Sequence, residues 1–331
     1  MNEKDTAKFE RLKNTFLKNF KITHLYADYL TRYPEVISDD MINTLTEDGS
    51  ITRCEAIVAL LSEIFALDFE VAEDRALIRE YITPSVRILD ARKYENNPYY
   101  KNIKIPEVKD GAWELKHESY KPYQAVIAND LIINSDYTEI PPLGFFTEEF
   151  SFPAVLENGN EWMTLTPVDL DTCNEAIDAA HGKVVTFGLG LGYYAYMASE
   201  KDSVESVTVV ELSSDVIRLF ERYILPQMPK KHKIKIVNMD AFEYAEKIMP
   251  TEKFDYAFVD TWRDASDGAP MYVRMRALEK YSEGTEFAYW IENFLISRLR
   301  AERFEKILDA YENDGDIPDS YEKIEEILRG V

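Results

Sequence analysis

The sequence predicts an α/β protein in which a doubly wound, mostly parallel sheet follows a helical domain and a small β-rich connector. Three observations lead to this fold class: apolar residues at helical spacing near the start, turn-rich short strands after them, and apolar strands alternating with amphipathic helices from about residue 165. Such alternation is typical of parallel sheets with helices on both faces. The predicted domains are a helical N-terminal domain (1–95), a connector (96–160), a sheet domain (161–300) and an acidic helical extension (301–331).

Length and charge limit the classes of function. A chain of 331 residues is longer than one compact core usually needs. Its net charge of −23 repels polyanions at long range, so nucleic acid is a poor candidate partner, and a small molecule or a protein group fits better. No apolar run approaches the length of a membrane helix. The two cysteines are too few for a disulfide framework and suit a reducing cytoplasm. The sequence leaves open whether the chain forms a homodimer.

The N-terminal region shows two helical signals. Phe9, Leu12, Phe16 and Phe20 recur at helical spacing and form one apolar stripe. The stretch "TRCE" (52–55) matches a capping box ahead of the apolar run "AIVALLSEIFAL". We therefore expect residues 1–95 to form a helical region, with a turn at Asp48-Gly49.

The connector and the sheet domain differ in the order of their predicted strands and helices. Asn-Pro, Pro-Pro and Asn-Gly pairs surround short strand-like runs between residues 96 and 160. Beyond them, each apolar strand is followed by a helix-like segment. The candidate strands are "KVVTFG" (183–188), "SVTVVE" (206–211), "IKIVNM" (234–239), "YAFVD" (256–260) and "EFAYWIE" (286–292).

A glycine turn follows the first of these strands. In "VVTFGLGLGYYAY", Gly188, Gly190 and Gly192 are three of only 12 glycines in the chain. A strand, a glycine turn and a helix bring bare backbone and a helix N-terminus close to a nucleotide. The dinucleotide pattern needs a later third glycine, where Tyr193 stands. A structural turn without a ligand therefore stays open at this point.

Acidic residues end the next three strands. Glu211 ends the second strand, where a carboxylate can accept both ribose hydroxyls of an adenosine. Asp240 ends the third, where it could accept from an adenine amino group while Phe242 packs on the ring. Asp260 ends the fourth. Each acid alone reads as a helix N-cap, but the ordered set at one edge of a parallel sheet indicates a ligand site.

The ordered motifs resemble those of class I S-adenosylmethionine-dependent methyltransferases. The resemblance rests on "VVTFGLGLG", "VTVVE", "MDAFEY" and "FDYAFVD", and it covers about residues 162–292. It implies S-adenosylmethionine as cofactor and a Rossmann-like sheet of strand order 3-2-1-4-5. The segment "EWMTLTPVDLDT" resembles the part of the family that lines the methionine side of the cofactor. The implied cofactor contacts are Thr166, Phe187, Gly188, Gly190, Gly192, Tyr193, Glu211, Leu212, Asp240, Ala241, Phe242 and Asp260.

The sequence also departs from this family. The family core usually has two further strands after the fifth, whereas "NFLISRLRAERFEKILDAYEN" reads as a helix, and no convincing terminal hairpin follows. The fourth strand is followed by "DTWRDASDG" rather than an Asn/Asp-Pro-Pro-aromatic motif, so the class of acceptor stays open.

Methyl transfer is an in-line displacement, and we expect its residues just beyond the fourth strand. Asp260 would orient cofactor or substrate, and Asp264 is a candidate base or anchor for a substrate amine. Trp262 would shield the site from water or stack on a cationic group. Loop aspartates are also commonly helix caps. No metal is expected: the four histidines lack ligand spacing, and Glu292-Asn293 is only a loose candidate.

Three alternatives remain at this stage. An aminopropyltransferase resembling spermidine synthases would use Asp260 and Asp264 with a polyamine, although "FGLGLG" lacks the aspartate of that family's glycine motif. A non-catalytic protein that binds the cofactor and a partner would explain the missing strands and the helical extension. A nicotinamide dehydrogenase is disfavoured by Tyr193.

Overall fold

The computed structural model describes residues 1–313, 315 and 317–330. Two compact units are present, each built from separate stretches of chain. The helical unit comprises residues 1–89, 121–148 and 292–331, and the sheet unit comprises 90–120 and 149–291. The sequence predicts four consecutive domains instead. The difference arises because the residues of the predicted connector are shared between the two units, which no local pattern reveals.

The elements are numbered in chain order. The helices are α1 (Glu3–Arg32), α2 (Asp39–Thr46), α3 (Arg53–Ile64), α4 (Ala72–Leu77), α5 (Thr83–Ser85), α6 (Ala91–Glu95), α7 (Pro98–Asn102), α8 (Pro167–Thr172), α9 (Asn174–Ala179), α10 (Tyr193–Glu200), α11 (Ser214–Leu219), α12 (Ala241–Lys247), α13 (Met249–Glu252), α14 (Ala265–Leu278), α15 (Glu292–Glu312) and α16 (Tyr321–Arg329). The strands are β1 (Val86–Leu89), β2 (Val108–Asp110), β3 (Trp113–Tyr120), β4 (Ala125–Ile127), β5 (Ile132–Ile133), β6 (Glu139–Ile140), β7 (Leu143–Phe146), β8 (Phe150–Glu157), β9 (Asn160–Thr164), β10 (Gly182–Phe187), β11 (Val204–Glu211), β12 (Ile234–Asn238), β13 (Tyr256–Val259) and β14 (Glu286–Tyr289). Single π-helical turns at Ile78–Ile82 and Phe220–Ile224 and short 3₁₀ turns at Leu225–Gln227, Lys231–Lys233 and Glu279–Tyr281 complete the set.

In the helical unit, α1 buries its apolar stripe, and Phe16 stacks on Phe304 of α15 at 4.1 Å between ring centroids. The predicted capping box of α3 is present: Glu55 accepts from the backbone N–H of Thr52 and its own N–H donates to the Thr52 hydroxyl. The expectation of helix up to residue 95 is wrong at β1, which pairs in parallel with β7. Its residues "VRIL" include two β-branched side chains that favour an extended backbone once a partner strand is present.

The sheet unit contains two sheets. All five predicted strands form one parallel sheet with the hydrogen-bonded order β12-β11-β10-β13-β14, and β10 has neighbours on both sides. Its central strands are buried, as their continuous apolar sequences require. Beside it, β2-β3-β8-β9 form an antiparallel sheet. The main sheet and the helical N-terminus are consistent with a Rossmann-like α/β fold.

The carboxyl ends of the parallel strands define one edge of this sheet. The chain crosses from β10 to β11 on one side and returns to β13 on the other. Open α/β sheets bind ligands at the crevice where the strand order reverses in this way. After β14 the chain continues directly into α15. Within the described residues, no helix is both long and apolar enough to cross a bilayer.

Candidate functional site

The glycine turn connects β10 to α10 through backbone that other residues rarely adopt. Gly188, Gly190 and Gly192 have φ angles of +100°, +50° and +77°. Glycine reaches this left-handed region without the steric penalty of a Cβ atom. Positive φ therefore explains the glycines before any ligand is considered.

Close packing is a second reason for these glycines. A Cβ atom at Gly188 would overlap the carbonyl oxygen of Asp260, one at Gly190 the thioether of Met163, and one at Gly192 the ring of Phe220. Protein atoms thus take the space of all three missing side chains, and the contact of these glycines with a cofactor stays a prediction. Only Met163 approaches with the flexible end of its side chain and could make way for a ligand.

Glu211 faces this turn from the end of β11. Its side chain is only 8% exposed. One carboxylate oxygen accepts from the backbone N–H of Leu189 at 3.1 Å, and the other accepts from that of Ser213 at 2.6 Å. Burial raises the pKa of this carboxyl, and backbone N–H groups of Ser213, Leu189 and Leu212 oppose the increase. Each oxygen keeps a second lone pair, so the carboxylate could still accept from ligand hydroxyls.

Asp260 lies on the other side of the turn, directly after β13. Its backbone N–H donates to the carbonyl oxygen of Phe187 at 2.8 Å, which holds the residue at the tip of the neighbouring strand. None of the described residues donates a hydrogen bond to its carboxylate. Burial, and then the negative charges of Asp169 and Glu211, raise its pKa to about 8. A carboxylate without a donor, surrounded by two others, is expected to attract a cation.

Asp169 joins this group from α8 and was not among the residues predicted from sequence. One of its oxygens accepts from the backbone N–H and the hydroxyl of Thr166, both at 2.7 Å. Burial raises its pKa to about 6. Thr166, a predicted cofactor contact, is thus the N-cap of α8. The capping pattern in "TPVD" could have located this helix start, but not its proximity to Asp260.

After β12, the side chains predicted to contact adenine also contact other protein groups. Asp240 caps α12 by accepting from the backbone N–H of Glu243 at 2.9 Å. Phe242 is buried, and the guanidinium of Arg274 lies 3.9 Å from its ring centroid. One face of the ring expected to pack on adenine is therefore covered by protein. Leu212, after Glu211, is 70% exposed and offers an uncovered apolar surface instead.

The remaining predicted cofactor contacts are largely committed to packing. Phe187 is fully buried, and its ring meets Tyr244 edge-on at 6.2 Å. Tyr193 is buried, and its hydroxyl accepts from the side-chain amide of Asn97 at 3.1 Å. Ala241 is partly exposed at the start of α12. Phe187 and Tyr193 can therefore meet a ligand only through their backbone.

In the loop after β13, Asp264 is a helix cap. One of its oxygens accepts from the backbone N–H and the hydroxyl of Ser266, at 2.7 and 2.6 Å, at the start of α14. These bonds, led by the hydroxyl, lower its pKa. Since a strongly acidic carboxyl is a weak proton acceptor, this geometry gives no support to Asp264 as a general base.

Trp262, in the same loop, is 6% exposed, and its ring lies nearly parallel to that of Tyr289 with centroids 6.4 Å apart. Its indole N–H has no hydrogen-bond partner among the described residues, and neither does the hydroxyl of Thr261. Two polar groups next to Asp260 in sequence are thus left unsatisfied, which is uncommon for buried groups.

No group of three or more His, Cys, Asp or Glu residues suited to a metal ion occurs in the part of the chain that the structure describes. The loose candidate Glu292-Asn293 forms the first turn of α15. There the backbone N–H groups of Asn293 and Phe294 donate to Asp130 at 3.0 and 3.1 Å.

Comparison with known proteins adds little. No family model matches this sequence, and no curated protein matches it. Among solved structures, spermidine synthase from Thermotoga maritima is 16% identical and covers 45% of this chain and 55% of its own, with a TM-score of 0.30. A spermidine synthase in complex with the transition state analogue AdoDATO is also 16% identical and covers 56% of this chain and 61% of its own, with a TM-score of 0.30. The chain thus spans less than two thirds of these proteins, and a similarity of this size carries no argument about function.

Proposed function

We propose that this chain is an S-adenosylmethionine-dependent methyltransferase whose acceptor is an amine of a small molecule or a protein. The observation that carries the proposal is the carboxylate of Asp260, to which none of the described residues donates and which lies near the carboxyls of Asp169 and Glu211 beside the glycine turn. Three acidic groups at one strand edge favour positively charged ligands. A sulfonium cofactor and an amine acceptor both carry that charge.

The residues present fit the proposed cofactor at two points, and at a third a side chain has to move. Glu211 already faces the glycine turn and keeps acceptor capacity for ribose hydroxyls. Leu212 presents an exposed apolar side chain next to it, on which an adenine ring would rest. Met163 would have to move from Gly190 to admit the methionine part of the cofactor.

In the proposed reaction, S-adenosylmethionine supplies an electrophilic methyl carbon on sulfur. The amine nitrogen forms the new bond to carbon, and the electron pair of the breaking C–S bond stays on sulfur. Asp260 would hold the amine in line and receive the proton that the nitrogen loses. The raised pKa, about 8, makes the ionised carboxylate of Asp260 a stronger proton acceptor than an ordinary aspartate, and a bound ammonium group would favour that ionised form.

The first experiment is calorimetric titration of the full chain with S-adenosylmethionine and, separately, with NAD. We expect binding of the former only, and a loss of about tenfold or more in affinity for Glu211→Gln, which weakens the acceptor for ribose hydroxyls. Glu205→Gln, at the exposed start of the same strand, is the matched control. No binding of S-adenosylmethionine, or equal affinities in both variants, would contradict the proposal.

A second candidate is aminopropyl transfer to a polyamine. It is favoured by the continuation of the acidic group onto the antiparallel sheet: Glu161 of β9 contributes to the raised pKa of Asp169, and Glu118 of β3 acts in the same way on Glu161. An extended line of carboxylates suits an extended polycation. Incubation with decarboxylated S-adenosylmethionine and putrescine tests it: spermidine formation would favour this candidate, and its absence alongside methyl transfer to an amine would exclude it.

A further inference from the structure

The unsatisfied hydrogen-bond donors after β13 indicate a polar group of the acceptor substrate, in addition to its positive charge. Across the part of the chain that the structure describes, nothing hydrogen-bonds to the Trp262 indole N–H or to the Thr261 hydroxyl, and both residues follow directly on Asp260. The indole is held by packing alone: its ring lies along Tyr289, whose hydroxyl donates to Glu279 at 2.6 Å and whose ring meets Tyr272 edge-on at 4.8 Å. Packing therefore fixes the position of the indole N–H, and none of the described residues accepts its hydrogen.

A second tryptophan in the same unit shows the contrast. The indole N–H of Trp290 donates to the hydroxyl of Thr172 at 2.9 Å. Buried N–H groups in native proteins almost always have a protein or water partner. The sheet unit thus satisfies Trp290 from within, whereas none of the described residues accepts from Trp262.

We propose that the acceptor substrate is an amino amide, whose ammonium group is held by Asp260 and whose carbonyl oxygen accepts from the indole N–H of Trp262. This inference rests on the proposed function and specifies its substrate class. The Thr261 hydroxyl, which both donates and accepts, would bind the carbonyl or the amide N–H₂ of the same group.

The substrate oxygen that accepts from the Trp262 indole N–H has to be neutral. A carboxylate on the ligand would face the negative charges of Asp169 and Glu211, which already act on Asp260. A simple diamine is also a poor match, because it offers the indole N–H no oxygen to accept its hydrogen. An amide combines a neutral acceptor with the cation that the carboxylates require.

The test uses two probes with the same ammonium group: β-alaninamide, and n-propylamine, which lacks the amide. ¹H–¹⁵N spectra of the full chain contain the indole signals of its four tryptophans, and Trp262→Phe and Trp290→Phe assign two of them. We expect β-alaninamide to shift the Trp262 signal downfield and n-propylamine to leave it in place. The Trp290 signal should stay fixed with both, because its N–H already has a partner.

The variants complete the test. Trp262→Phe keeps most of the ring packing but removes the donor, so affinity for β-alaninamide should fall about tenfold while that for n-propylamine is unchanged. Asp260→Asn should weaken both probes. The wild-type indole signal decides the matter even if Trp262→Phe folds poorly.

Three results would overturn the inference: neither probe binds, β-alaninamide binds without moving the Trp262 signal, or folded Trp262→Phe binds it as tightly as wild type. The last two would mean that water satisfies the indole N–H. If the probes behave as expected but S-adenosylmethionine does not bind by calorimetry, the amino-amide site stands and the methyltransferase proposal fails.

Discussion

Two neighbouring strand tips of the sheet unit, the glycine turn after β10 and the loop after β13, differ in how completely other protein atoms contact them. In the glycine turn after β10, protein atoms occupy the space of all three missing side chains. After β13, by contrast, the Thr261 hydroxyl and the Trp262 indole N–H have no hydrogen-bond partner among the described residues, and none of those residues donates to the Asp260 carboxylate. The glycine turn is thus explained by packing, and the unsatisfied groups opposite it are the stronger indication of a ligand.

The largest expected effect tests the close packing of the glycine turn after β10. Gly188→Ala should destabilise the chain by about 3–5 kcal/mol, because its Cβ would overlap the Asp260 carbonyl, a backbone atom that cannot move aside, in addition to the strain of positive φ. Urea unfolding measures this. Gly159→Ala is the matched control, since Gly159 has a φ of +81° and open space around it, and it should lose only about 1 kcal/mol. Equal losses would mean that close packing plays no part at Gly188.

The next largest effect tests the negative charge of Asp260 after β13. The pKa of Asp260 is raised from 3.8 to about 8, so ionisation destabilises the folded state, and stability should fall as pH rises from about 4 to about 8. Full linkage would give Asp260→Asn roughly 6 kcal/mol at high pH, but Asp260 is partly exposed and water screens its charge, so in the ligand-free protein we expect a gain of about 2 kcal/mol at pH 9 and almost nothing at pH 4.

Urea unfolding at the two pH values checks this. Asp202→Asn, at an exposed position outside the site, should show no such gain. A gain for Asp260→Asn that is the same at both pH values would show that its negative charge is not the source.

The smallest effect separates capping from catalysis at Asp264. Asp264→Ala removes the N-cap of α14 and should lose about 1 kcal/mol, whereas Asp264→Ser should retain most of that stability because serine also caps. With an active acceptor in hand, turnover by Asp264→Ser should match wild type. A large loss of turnover in this stable variant would restore the carboxylate as a candidate base.

Local patterns carried much of the fold. Apolar runs predicted all five strands of the parallel sheet, and the "TRCE" pattern predicted the α3 capping box, because both depend on residues near each other in sequence. The β1 strand was missed, since four residues become a strand only by pairing with β7, more than fifty residues later. Asp169 was missed for the same reason, because its approach to Asp260 depends on where α8 packs.

The sequence by itself determined which residues end the strands and which positions need glycine, since side-chain periodicity and backbone sterics act locally. Only the tertiary structure decided what fills the space beside those glycines, which aspartates are caps, and which polar groups remain without partners. Those outcomes depend on burial and hydrogen bonding between segments distant in the chain. For Asp260 and Trp262, the sequence predicts a place just after the fourth strand, and only the packing around them shows which of their polar groups the described residues leave unsatisfied.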